Sequence, residues 1–276
     1  MTRIGARLGG RQRSIGWKWI ATGLCVATAL VAIPVIGKTA ESVAPPSLSS
    51  TVAGSPEAIA SRLSTMLQSA RAVISKHQTE INDPAVGDKH LDAAAVIAEA
   101  TANYQKKTGE DPASYPPSTR QGRLIAAQLA SIKEVMDDAQ PLINEKGVAF
   151  KGFIPATFAR LVNESFARRV GGEAHIKVTA PPELVRNRKA RPDGWETAVI
   201  ADKFRSPAWT RGTSFSEIVE ANGGKEFRMA VPEYYAASCL SCHGAPKGSI
   251  DITGYPREGA AESDLGGVIS VVLANP

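Results

Sequence analysis

The chain has 276 residues, 43% of them hydrophobic, and a formal net charge of +5, which is ample for a buried core in one large domain or two small ones. Arg3, Arg7, Arg11, Arg13 and Lys18 all precede the first acidic residue, Glu41, so the tail accounts for the whole excess and the remainder is neutral. That excludes a nucleic-acid-binding body, which needs clustered Lys and Arg to displace counterions from phosphates, and three cysteines exclude a multi-disulfide framework or a four-cysteine zinc site.

Residues 1–18 read as a basic cytoplasmic tail, and Trp19–Gly37 as an uncharged segment that spans roughly 28 Å as a helix, enough to cross a bilayer. Trp17 and Trp19 bracket Lys18 in the manner of an interfacial belt. A cleaved signal peptide is the rival reading. Its cleavage sites are poor, because Ser42-Val43-Ala44 is followed by proline and Leu24 spoils a lipoprotein box at Cys25. The expectation is an uncleaved single-pass anchor with everything after Lys38 outside, the alternative being a soluble exported protein after cleavage. Residues 38–54, small, polar and proline-bearing, read as a flexible linker, and 55–276 as the folded domain.

Ser55-Pro56-Glu57 is a helix-start signal, and Ile59, Leu63, Met66, Leu67, Ala70, Val73 and Ile74 repeat at helical spacing to about Lys76. Asn82-Asp83-Pro84 stops that pattern. Further helices are predicted over Leu91–Lys106, Leu124–Glu145 and Ala156–Arg169. After Gly171-Gly172 the period changes to strand-like alternation at His175–Thr179, Phe227–Val231 and Leu265–Leu273, with a short helix around Trp195–Lys203. Helices first and strands later predict an α+β domain whose antiparallel sheet carries helices on one side.

Cys239-Leu240-Ser241-Cys242-His243 is the c-type haem attachment pattern: two thiols two residues apart reach the two vinyl groups on one edge of a porphyrin, and the adjacent histidine falls beneath the iron. A thioredoxin-like redox pair is expected at a helix start within a βαβ unit, whereas this pair follows a strand. A zinc site lacks its further ligands, and a plain structural disulfide is the remaining bland reading.

The run FRMAVPEYYAASCLSCHG, the later ITGYPREG and DLGGVISVVL, the upstream VRNRKARPDGWETAVIADKF, and KGFIPATFARLVNESF and EVMDDAQPLINEKG in the helical half resemble a family of periplasmic single-haem domains with a PAS-like fold. That family was long catalogued as a domain of unknown function and also serves as the sensing module of membrane-bound histidine kinases and chemoreceptors. The resemblance covers about Ser55 to Val272. It implies thioethers on Cys239 and Cys242, His243 as proximal ligand of one covalent haem c, and a helical N-terminal bundle on a small PAS-like antiparallel sheet in the periplasm, tethered to the inner membrane. The chain stops at Pro276 with no kinase or methyl-accepting segment following, which turns the expectation toward a separate partner.

Candidates for the iron's sixth ligand are His77, His90 and His175, with Met66, Met136 and Met229. His77 is the first choice, because it ends the first helix where that helix should reach the sheet; the methionines are explained by core packing. Arg186, Arg188, Lys203 and Arg205 suit haem propionates or form a solvated basic loop. Trp195, Phe204, Tyr234 and Tyr235 suit a haem wall or an ordinary core. The expected function is single-haem electron transfer with a redox partner protein; the alternative is a redox or gas sensor acting through a membrane signalling protein. No distal acid and base pair, nucleophile elbow or phosphate loop marks it as an enzyme.

Overall fold

The computed structural model describes residues 54–276 apart from Asn222. The predicted basic tail, the segment Trp19–Gly37, Cys25 and nearly all of the linker lie outside the described residues. Among the described residues no helix is long and apolar enough to cross a membrane.

Helix α1 (Pro56–Lys76) begins as its sequence dictates: Ser55 accepts a hydrogen bond from the Ala58 N–H at 3.1 Å, and Pro56 occupies the first turn where no donor is needed. After a one-turn α2 (Gln78–Ile81) come α3 (Ala93–Thr108), capped by Asp92, α4 (Arg120–Ile143), capped by Thr119, and α5 (Pro155–Val170), ended by Gly171 with a left-handed backbone. The predicted apolar face of α1 is fully enclosed. It packs with Val96, Ala100, Ile125, Ile132, Met136, Phe158 and Phe166 into one core, and burying each large side chain contributes about 1.5–3 kcal/mol.

Strands β1 (Ala174–Thr179), β2 (Phe215–Ala221), β3 (Gly224–Tyr234) and β4 (Leu265–Ala274) form an antiparallel sheet of order β1-β4-β3-β2. Met229, Val271, Ile269 and Leu273 alternate onto the face against the helices. The expected α+β organisation is therefore present, with two additions. Strand β2 was not predicted; it pairs with β3 from Phe215 opposite Ala230 to Ala221 opposite Gly224, with Gly223 at φ 79°. The sheet also carries helix on its other side: α6 (Gly194–Val199), continued by a wide turn over Ile200–Phe204, covers Ala230 and Val268 with Val199, Ile200 and Phe204. An all-one-sided sheet would have left those two small residues in water.

Candidate functional site

Between the end of β3 and the start of β4 the chain leaves the sheet on a long excursion, and the Cys239–His243 segment lies on it. The excursion is pinched shut at its base, where the Tyr235 N–H donates to the Asp264 carbonyl at 2.9 Å and the Ser263 N–H to the Tyr235 carbonyl at 2.8 Å. Ala237–Cys239 make a tight turn that runs into the single helical turn α7 (Leu240–His243). Gly244 closes α7 with a 2.9 Å bond to the Leu240 carbonyl. A Cβ at Gly244 would stand 2.6 Å from that same oxygen, so only glycine lets the chain turn so tightly after His243. Helix α1 braces the approach: Gln68 donates to Glu233 at 3.1 Å, Arg71 pairs with Glu233, and the Ser75 and Ser238 hydroxyls meet at 3.3 Å.

Cys239 and Cys242 are both half-buried free thiols. Nδ1 of His243 is 2.9 Å from Oε2 of Glu258 and 3.3 Å from the Tyr235 hydroxyl. Among the described residues no hydrogen bond reaches Nε2 of His243. Glu258 is itself gripped in a two-pronged contact by Arg186, whose Nε and Nη2 reach its two oxygens at 2.9 and 3.0 Å. Arg186 further donates to Asp251 at 2.6 Å and to the Cys242 carbonyl at 3.0 Å. Burial alone would raise the Glu258 carboxyl, but Arg186 and His243 outweigh it and hold the group below its ordinary range. Asp251, also buried, is held well below by Thr253, Arg186 and two backbone N–H groups. Glu258 thus remains an anion facing the imidazole, an acceptor placed for an N–H on Nδ1.

Tyr235 stacks on His243 with ring centroids 4.8 Å apart. Its ring lies over Gly266, where a Cβ would come within 2.5 Å of it. Burial pushes the Tyr235 phenol up to about 12, so it stays neutral. Of the residues singled out in the sequence, the structure gathers Cys239, Cys242, His243, Tyr235 and Arg186. Arg186 faces the two carboxylates. Tyr234 turns to another neighbourhood, with the Arg211 guanidinium 3.8 Å over its ring and the Gly212 N–H on its hydroxyl at 3.2 Å. Trp195 and Phe204 belong to the small cluster under α6, with Trp209 and Phe215.

His77 caps α1 between two carboxylates: Nδ1 is 2.7 Å from Glu80 and Nε2 3.1 Å from Glu99. Its burial is outweighed by those two partners, which raise its pKa. An iron ligand needs a free lone pair on a neutral ring, and this environment favours a doubly protonated one. His90 is exposed beside Asp88. His175 pairs with Val272, whereas Tyr234 pairs with Leu265, so His175 sits the length of β4 from the site, about 23 Å at the usual strand rise. Met66, Met136 and Met229 are enclosed in the main core.

Glu258 and Asp251 were not identified from the sequence. The one available signal was that a histidine committed through Nε2 needs an acceptor for Nδ1, and acidic residues lie in the segment just downstream. Two half-buried thiols within one turn, followed by an imidazole with one nitrogen held by a carboxylate, are the donor set the site offers. Among the described residues no three His, Cys, Asp or Glu side chains gather as a chelating set, so these donors do not converge in the manner of a zinc tetrahedron.

A family profile matches residues 55–274, from the cap of α1 to the last residue of β4. The chain belongs to the Tll0287-like family. The Tll0287-like match includes the helical bundle, the sheet and the whole excursion. No curated protein and no solved structure matches the chain.

Proposed function

We propose that this Tll0287-like chain carries one haem c, bonded through thioethers to Cys239 and Cys242, with Nε2 of His243 as proximal ligand. The observation that carries the reading is the 2.9 Å contact between His243 Nδ1 and Glu258, because it commits one ring nitrogen and leaves the other for iron. A bound haem supplies a reversible one-electron couple and an axial position for ligands. The protein's own part is positional. Arg186, itself held by Asp251, keeps Glu258 ionised and in place; Glu258 gives Nδ1 an acceptor; Tyr235 fixes the plane of the ring. The four-stranded sheet with helices on it supports a PAS-like description of the fold.

The proposed use of the haem is that of a periplasmic domain tethered to the inner membrane by Trp19–Gly37, passing electrons to a redox partner protein rather than acting as an enzyme. Sensing through a membrane signalling protein is the second reading. It is favoured by the placement of the sixth-ligand candidates, since His77 has both nitrogens engaged and the methionines are enclosed, an arrangement suited to an exchangeable ligand on the iron. The test is to express the full chain in a host that matures c-type cytochromes and weigh it intact. A mass one haem above the polypeptide, lost in the Cys239→Ala/Cys242→Ala variant, is expected; a wild-type mass equal to bare polypeptide overturns the reading. Carbon monoxide shifting the spectrum of the reduced protein favours sensing, and an inert six-coordinate spectrum favours electron transfer.

A further inference from the structure

Among the described residues the large exposed hydrophobics include Ile250, Ile252 and Tyr255, gathered in one short hairpin on the excursion, with Ile250 66% and Ile252 62% exposed. The hairpin is tightly tied. Ile250 bridges to Pro256, the Asp251 N–H donates to the Tyr255 carbonyl at 2.8 Å, and the Arg257 N–H donates to the Ser249 carbonyl at 2.8 Å. Asp251, the residue between the two isoleucines, turns inward. Its carboxylate accepts from the Thr253 N–H at 2.7 Å, from the Thr253 hydroxyl at 2.6 Å and from Arg186 at 2.6 Å. The usual alternation of a surface strand puts the charge outside and the aliphatic groups inside. Here the pattern is inverted, and the polar contacts of the buried acid fix a backbone that displays isoleucine.

The same guanidinium that holds Asp251 also holds Glu258, the acceptor of His243 Nδ1, and the carbonyl of Cys242. The displayed isoleucines and the Cys239–His243 segment are therefore parts of one braced assembly, with two half-buried thiols in it. An apolar patch braced by the same guanidinium as the Cys242 backbone suits a flat apolar body bonded to those thiols, and a porphyrin is one. The geometry points to Ile250 and Ile252 as a wall that covers the haem from water, with Tyr255, held against Arg186 at 5.5 Å, as its third member. This rests on the covalent haem proposed above and adds the residues that set its exposure to solvent, which is one of the protein's levers on iron potential.

The experiment compares three full-length proteins: the haem-loaded wild type, the Ile250→Ser/Ile252→Ser variant, and the haem-free Cys239→Ala/Cys242→Ala variant. Amide exchange over residues 249–256 is expected to be slower in the loaded wild type than in the haem-free chain. The serine variant is expected to keep its covalent haem while its midpoint potential moves to a more negative value and its Soret circular dichroism weakens. Equal exchange with and without haem, together with an unchanged potential and Soret signal in the serine variant, overturns the wall and leaves the patch to a protein partner. A wild type without covalent haem overturns the haem reading itself, a result distinguishable by mass before any exchange is measured.

Discussion

The helical half and the excursion between β3 and β4 keep their order by different means. Around α1 the order comes from enclosure: Leu63, Met66, Leu67, Ile74, Ile125 and Phe158 are essentially without solvent contact, and a few polar pairs sit at its margin. Arg62 pairs with Glu110 at 2.7 Å, and the Tyr104 and Tyr115 hydroxyls meet at 2.7 Å. The excursion has one helical turn and a small hairpin, and it shows Ile250 and Ile252 to solvent. Its order comes from directional contacts converging on Arg186. Burial is non-directional and sums into global stability, whereas a hydrogen-bonded network fixes geometry at modest net gain. Damage to the first region should therefore lower the free energy of folding, and damage to the second should alter the imidazole while most of the stability survives.

The largest stability effect is expected from Phe158→Ala, which empties a fully buried position beside Phe153 and should cost about 3–5 kcal/mol. Denaturant unfolding measures the loss, and the intact mass of the surviving folded protein should still include haem. An intermediate effect is expected from Gly266→Val. The added Cβ meets the Tyr235 ring at 2.5 Å, so the ring must leave its place on His243, at a cost of about 1–3 kcal/mol and with a changed haem spectrum. A spectrum identical to wild type would separate Tyr235 from the site. Glu258→Gln should cost only about 1–2 kcal/mol yet move the midpoint potential of the proposed haem to a more positive value, because an amide is a poorer acceptor for Nδ1–H than a carboxylate and would leave the imidazole a weaker donor to iron. An unmoved potential there would separate the Arg186–Glu258 pair from the iron's chemistry.

The same contrast governs how much could be read from the sequence. The helices were legible because Ser55 and the apolar spacing act locally, and three strands were legible through their alternation. Strand β2 was missed because Phe215-Ser216-Glu217-Ile218 is a sheet edge with little to bury, although Asn222-Gly223 is a strong hairpin signal. Cys239, Cys242 and His243 declare themselves by spacing alone. Glu258 and Asp251 have no such spacing, and Arg186 reaches them from a segment far upstream, between β1 and α6. Its true neighbours are set by tertiary folding, so sequence could name the charge but not the two anions it meets. His77 was placed correctly at the end of α1, but the presence of Glu99 from α3 on its second nitrogen is a contact between helices that no local pattern encodes.

The smallest expected effect concerns His77, and it separates the two regions by pH. Glu80 and Glu99 outweigh burial and raise its folded pKa above the ordinary 6.5. Its ion pairs therefore contribute stability that is fully present below about pH 6.5 and is lost as pH rises through the folded value. Asp251 and Glu258 have lowered folded values; their contribution is present above the ordinary carboxylate range and is lost as pH falls through the folded ones. Alkaline titration should then loosen the end of α1 while the excursion stays intact, whereas acid should act on both, because Glu99, held below its ordinary range by Lys76 and His77, also loses its charge there. An NMR titration of the His77 ring should show a midpoint above 6.5 that drops in Glu99→Gln, with the spectrum of the reduced haem unchanged in His77→Ala. A wild-type midpoint at or below 6.5 would mean the carboxylates do not hold the ring, and an altered spectrum in His77→Ala would return that residue to the iron.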